Sequence, residues 1–186
     1  MKHDMRTFIL SLFIFLGMAS FAQTPLSFTK VIEKEGADSL KLFELARNWL
    51  AHSYTDSKAV IQDAEPGKRI TGHGVINFRT GLQYISIRGN INYIVDIQFK
   101  NERLRFEMKN FTHEPEQGAM FNNHMGVMFD PLPKDLKDIG VEGANRKASY
   151  TYFYKKGKPL CEQLFTKLSL DLEKFIEKGE IIKNDW

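Results

Sequence analysis

The feature that most constrains the fold is a pair of alternating segments, residues 90–99 and 103–111, on either side of a polar dipeptide at 101–102. This spacing predicts a β-hairpin with a two-residue turn, in which Lys100 pairs with Arg103. In that register the apolar side chains of both strands share one face: Val95, Ile97, Phe99, Leu104, Phe106 and Met108. A shift of one residue would expose the whole set to water, so the pattern fixes the register.

The opposite face of this predicted hairpin is polar, with Gln98 beside side chains of both charges. Asp96 lies directly opposite Glu107, and Arg105 and Lys109 on the diagonals can offset the repulsion. A protein that binds nucleic acid needs a predominantly basic surface. We therefore expect no nucleic-acid partner for this face.

An amphipathic helix is predicted between residues 38 and 54, with Asp38 or Ser39 as its capping residue. Its apolar side chains recur with the helical period, and they are Leu42, Phe43, Leu45, Ala46, Trp49 and Leu50. Trp49 stands within this stripe, a position typical of a core residue rather than of a stacking platform for a ligand. We expect this helix to pack on the sheet and to nucleate the core.

A second helix is predicted at residues 159–178, where Pro159 suits the first turn and Gly179 the C-terminal cap. The preceding aromatic segment, residues 149–155, is compatible with either a strand or a first helical segment. Gly157 argues against an unbroken continuation into the helix.

Cys161 falls on the apolar stripe of this second helix, together with Leu164 and Leu168. A core position is therefore the favoured interpretation for Cys161, rather than a catalytic thiol. Because it is the only cysteine, no internal disulfide can form, and packing alone must hold the domain together.

The remaining strands are predicted at residues 29–34, 58–62, 69–78 and 82–88, the last being either a separate strand or an extension of the hairpin. Gly72 and Gly74 lie on the inner face, which indicates that another element approaches the backbone closely there. The order β-α-β-β-β-β-α predicts an α+β fold with two layers. We expect an antiparallel sheet of about four to six strands with two helices packed on one face.

The first 22 residues have the pattern of a signal peptide, with Lys2 and Arg6 before an apolar run at residues 8–18. Cleavage is expected after Ala22, leaving residues 23–186 as a single exported domain, periplasmic or secreted. The run is short for a bilayer span, although an uncleaved anchor is the alternative. Removing the leader lowers the formal net charge from +3 to +2, so the mature chain is only weakly basic.

Residues 113–146 form the least regular region, because prolines and glycines interrupt it repeatedly. The thioether and imidazole groups in this insertion are the ligand set that favours Cu(I). We favour the alternative of an adaptable apolar flap over the sheet edge, and expect no cofactor. The residues concerned are His113, Met120, Phe121, His124, Met125 and Met128.

Two stretches resemble a known family: ELARNWLAHSYTDSKAVIQDAEPGKRITGHGVINF from Glu44, and VDIQFKNERLRFEMKNF from Val95. Both look like signatures of domain-of-unknown-function family 4468, whose members are exported proteins of Bacteroidota-type bacteria. Where the family tends to have Lys-Asp-Gly and then aromatic-Arg-aromatic, this chain has Lys-Asn-Glu at 100–102 and Leu-Arg-Phe at 104–106. The resemblance implies a fold like that of the TATA-binding protein (TBP) and export, and no established activity, cofactor or partner.

Known catalytic patterns are missing from the sequence, including glycine-rich phosphate loops, G-x-S-x-G, H-E-x-x-H and paired carboxylates in a suitable context. A non-enzymatic interaction domain of the cell envelope, binding a protein or glycan, is therefore our first hypothesis. The alternative is a small-ligand module in which residues 113–146 cover an apolar cavity. The candidate binding residues are Arg105, His113, Phe121, His124, Met125 and Met128.

Overall fold

The computed structural model describes residues 23–53, 61–82, 85–116 and 124–179. The expected signal peptide, Phe121 and Met120 lie outside these ranges, as does most of the strand predicted at 58–62.

The described residues form two helices and eight strands. The strands are β1 (Thr24–Pro25), β2 (Ser27–Glu33), β3 (Ile61–Glu65), β4 (Arg69–Leu82), β5 (Ile85–Lys100), β6 (Arg103–Pro115), β7 (Gly126–Val127) and β8 (Phe129–Asp130). The helices are α1 (Ser39–Ser53) and α2 (Ala144–Lys178), and Leu136–Ile139 forms a 3-10 turn. The main sheet is antiparallel with the order β2-β6-β5-β4-β3; β7 also pairs with β6, whereas β1 and β8 form a separate pair.

The β5–β6 hairpin has the predicted register, with Lys100 opposite Arg103, Ile97 opposite Phe106 and Val95 opposite Met108. Further along, β6 contains one extra residue, and Asn110 there has a φ of 57°. This bulge allows Phe111 and His113 to point to the inner face as Met108 does. Of the segment predicted at 82–88, Leu82 ends β4 and residues 85–88 belong to β5. Strand β5 is therefore longer than the strand predicted at residues 90–99.

Helix α1 buries the six apolar residues that the helical period predicted. The Asp38 carboxylate caps it by accepting a hydrogen bond from the Lys41 N–H at 2.7 Å. Trp49 is 1% exposed and packs edge-on against Phe106 of β6. The helix is thus docked on the sheet through its predicted face.

Helix α2 is one continuous element of 35 residues with Pro159 in its interior, so the predicted start at Pro159 was wrong. The aromatic segment before Pro159 is helical, and Gly157 is buried within it. A Cβ on Gly157 would lie 3.2 Å from Met128 Cε, so this glycine lets the helix approach the β7–β8 segment closely. Tertiary packing outweighs the local helix-breaking preference. Gly179 ends the helix as predicted.

Glycine also permits close packing within the sheet. A Cβ on Gly74 would lie 2.1 Å from Cζ of Tyr93 on the neighbouring strand, so the tyrosine ring covers the glycine. The close approach expected at Gly74 is therefore confirmed, and its source is an aromatic side chain of the neighbouring strand.

The chain between β6 and α2 is packed against the core where it is described. Met125 and Met128 are 6% and 0% exposed. The Tyr150 hydroxyl donates to the Val127 carbonyl, and Asp130 accepts hydrogen bonds from Tyr154 and Lys158. Among the described helices, none combines the length and the apolar character that crossing a bilayer requires.

The result is a two-layer α+β fold with both helices on one face of the sheet, as the sequence predicted. The opposite face of the sheet is open, and Val31 and Val75 on it are 52% and 60% exposed.

Candidate binding groove on the open sheet face

One row of side chains crosses all five main strands on the open face. The strand registers align Val31 of β2, Arg105 of β6, Gln98 of β5, Arg69 of β4 and Glu65 of β3. With neighbouring strands about 4.8 Å apart, the row is about 19 Å long. These residues line a groove with a volume of about 550 Å³, to which Lys68, Lys100 and Arg103 also contribute.

An ion-pair cluster lies beside the groove. Arg69 donates from Nε and Nη2 to the two carboxylate oxygens of Asp96, at 2.8 and 2.6 Å. Lys109 Nζ contacts Asp96 at 2.6 Å and Glu107 at 2.8 Å. The Asp96 side chain is 0% exposed although it points to the open face, because these neighbours cover it.

The cluster sets the charge of Asp96. Burial alone would raise the pKa of its carboxyl, but hydrogen bonds from Arg69 and Lys109 outweigh burial and lower the pKa to about 2. The bidentate contact also holds the Arg69 guanidinium in one orientation at the edge of the groove.

The prediction that Arg105 and Lys109 offset the negative charge at Asp96 is therefore half correct. Lys109 offsets the charge as expected, but Arg69 from β4 takes the place given to Arg105. The prediction considered only the two strands of the hairpin, whereas the second cation, Arg69, comes from the neighbouring strand β4. Arg105 makes no ion pair within the described ranges and is left to face the groove.

The groove therefore carries excess positive charge. Arg69 and Lys109 are matched by Asp96 and Glu107, and Lys68 lies 3.4 Å from Glu65. Of the cations lining the groove, three have no ion-pair partner in the part of the chain that is described: Lys100, Arg103 and Arg105.

The other predicted site residues lie elsewhere. His113 is 0% exposed, and its Nδ1 accepts a long hydrogen bond, 3.4 Å, from the Met125 N–H. Its ring packs against Phe78 and Phe153. Burial, with the nearby His124 second, lowers the pKa of His113 to about 4. His113 is therefore a core residue in the neutral form at pH 7.

The candidates near β7 are only partly brought together. His124 is exposed, and it shares with Met125 a depression of about 450 Å³ that Phe129 and Arg146 also line. Met128 is buried in the core below. Phe121 lies outside the described residues. Within those residues, no group of three or more His, Cys, Asp or Glu side chains could hold a metal ion.

Sequence reasoning missed Arg69, Lys100, Arg103 and Val31 as neighbours of Arg105. The hairpin register already placed Lys100 and Arg103 opposite each other next to Arg105. Only two residues separate β4 from β5, but the sequence prediction ended the first of these strands at residue 78 and did not pair it with the hairpin. Arg69 was therefore not placed beside Asp96.

An antiparallel α+β protein with one helical layer and one open sheet face is the class that this geometry defines. Residues 28–114 match the family described as a domain of unknown function (DUF4468) with TBP-like fold. This match confirms the resemblance seen in the sequence.

Two solved structures are similar to this chain. A DUF4468 family protein from Bacteroides ovatus ATCC 8483 has a TM-score of 0.53 at 12% identity, over 80% of this chain and 86% of that one. A TBP-like protein from Parabacteroides distasonis ATCC 8503 has a TM-score of 0.45 at 14% identity, over 80% and 93%. The first likeness shows a shared fold. No curated protein matches the chain.

Proposed function

We propose that this protein is an exported, non-enzymatic binding domain that holds a partner on the open face of its sheet. The observation that carries the proposal is the asymmetry of the sheet. Two helices cover one face, while the other presents a groove of about 550 Å³ with an exposed valine and with three cations that make no ion pair among the described residues. Open surfaces with both apolar and charged groups are typical of interaction sites.

The chemistry of the groove supports binding rather than catalysis. Its polar groups are guanidinium, ammonium and amide groups, together with Glu65, whose carboxylate already contacts Lys68. Catalysis by proton transfer needs a group whose pKa lies near the working pH. At the groove, the hydrogen bond to Asp96 raises the pKa of Arg69, which moves this pKa further above neutral pH.

Export is supported by the leader pattern of the first 22 residues and by the position of the first strand. β1 begins at Thr24, directly after the expected cleavage position, and Thr24 Oγ1 donates to the Asp130 carbonyl.

The test is affinity capture from the envelope fraction with tagged residues 23–186. Two variants of matched chemistry compare the faces: Val31→Glu on the open sheet and Leu170→Glu on α2, both sites being exposed. We expect the captured partner to be lost with Val31→Glu and retained with Leu170→Glu. The reverse pattern would place the binding surface on the helices and refute the proposal.

A small ligand in the depression shared by His124 and Met125 is the second candidate function. Its volume of about 450 Å³ lies within the range of small-molecule sites. Native mass spectrometry of the purified protein tests it: a bound small molecule that Met125→Ala releases would support this candidate, and the apo mass alone would remove it.

A further inference from the structure

We infer that the groove binds a short acidic peptide segment, with its carboxylates on Arg103 and Arg105 and an aliphatic side chain on Val31. This inference rests on the proposed function and names the chemistry of the partner. It depends on the charge of the groove, its length and the placement of its apolar group.

The three cations that have no ion-pair partner in the described ranges form a compact group. Arg103 and Arg105 project from the same face of β6 two residues apart, which places their Cα atoms about 7 Å apart. Lys100 lies directly opposite Arg103 on β5. Guanidinium groups donate two parallel hydrogen bonds to a carboxylate. In an extended peptide, alternate side chains lie on the same side and about 7 Å apart, so the two arginines suit acidic residues separated by one residue.

An apolar surface adjoins these cations. Val31 is the register partner of Arg105 and is 52% exposed. The row of about 19 Å accommodates about six residues of extended chain at about 3.3 Å each. A peptide with acidic side chains next to an aliphatic one matches both surfaces of the groove.

A long uniform polyanion matches the face less well. Glu33 is the register partner of Arg103, Glu65 closes the far end of the row, and Asp63 lies on the same side of β3. Nucleic acid or a sulfated glycan places charge at every repeat and would meet these carboxylates. The positive charge is concentrated on the two central strands, β5 and β6, next to the turn that joins them, and this compact group suits a short acidic segment.

Fluorescence anisotropy tests the inference with residues 23–186 and the labelled peptide Gly-Ile-Gly-Glu-Gly-Glu, in which the isoleucine and both glutamates lie on the same side of an extended chain. Two control peptides replace glutamate by glutamine or isoleucine by serine. We expect both to bind more weakly, and the double variant Arg103→Gln/Arg105→Gln to lose about tenfold or more in affinity. The control variant Arg79→Gln alters an exposed arginine of the same sheet that pairs with Glu116, and should bind normally.

Equal binding of the glutamate and glutamine peptides would overturn the inference. Tighter binding of heparin or oligo-dT than of the peptide, lost in the double variant, would overturn it in favour of a polyanion. If the double variant still captures a partner that Val31→Glu loses, the acidic-peptide inference fails while the proposed function stands. If capture does not depend on Val31, the proposed function itself fails.

Discussion

At the scale of single residues, Trp49 links both helices and the sheet. Its ring lies 5.8 Å from that of Phe106 on β6, and its Nε1 donates to Asp171 Oδ2 on α2 at 2.8 Å. The indole thus supplies buried apolar area and a directed contact between two elements distant in sequence.

Replacing Trp49 therefore tests how the core is assembled. We expect Trp49→Ala to lower the free energy of unfolding by about 3–5 kcal/mol, because a large cavity opens between α1 and the sheet. Trp49→Phe keeps most of the packing and loses the hydrogen bond, so it should cost about 1–2 kcal/mol. Urea denaturation measures both. An unchanged midpoint for the alanine variant would show that α1 is not docked through Trp49.

His113 predicts a pH dependence. Its pKa is about 4 in the folded protein and 6.5 for an unperturbed histidine, so the unfolded chain takes up the proton first as the pH falls. The contribution of the neutral His113 side chain to the free energy of unfolding is fully present above pH 6.5. It decreases by about 3 kcal/mol as the pH falls from 6.5 to 4. Equilibrium unfolding at a series of pH values measures this slope.

The variant His113→Asn separates this effect from other titrations, because asparagine can still accept from the Met125 N–H but does not titrate. It should abolish the slope between pH 6.5 and pH 4 while lowering stability at neutral pH. Asp96, with its pKa lowered to about 2, loses its contribution only below pH 3.8. A slope that survives in His113→Asn would assign it to another group.

At the scale of secondary-structure elements, the β5–β6 hairpin and α2 show what local sequence can determine. A hairpin register follows from neighbouring residues and a short turn, so the pairing from Lys100–Arg103 to Val95–Met108 could be derived. The extent of α2 could not, because Gly157 and Pro159 disfavour a helix locally. Contacts of Tyr150 and Phe153 with the β7–β8 segment and the sheet stabilise it instead.

The interior position of Pro159 can be tested directly. In a helix interior, proline leaves the carbonyl four residues earlier without its partner, so Pro159→Ala should raise the free energy of unfolding by about 1–2 kcal/mol. A proline in the first turn would give no such gain. Thermal unfolding followed by circular dichroism distinguishes the two.

Gly157→Ala is the matched control for this prediction. An exposed helical glycine gains about 1 kcal/mol on replacement by alanine. Here the new Cβ would press on Met128 Cε at 3.2 Å, so we expect no gain. A gain equal to that of Pro159→Ala would show that α2 does not approach Met128 closely.

At the scale of the whole molecule, the two faces of the sheet differ in how far the sequence determines them. The helical side follows from hydrophobic periodicity, and the α+β class and helix α1 could be predicted from it. The groove could be predicted only in part. Arg105 was a candidate, but Asp96 is paired instead by Arg69 of β4, and the sequence prediction left the pairing of that strand with the hairpin open.

The first 22 residues are expected to direct export and to be removed afterwards. Because β1 begins at Thr24, cleavage after Ala22 leaves every described strand and helix intact. We expect the full chain, expressed in a bacterium with a periplasm, to yield a soluble periplasmic protein whose intact mass begins at Gln23, with the same thermal midpoint as residues 23–186 produced without the leader. A full-length mass recovered from the membrane fraction would instead identify the first 22 residues as an uncleaved anchor.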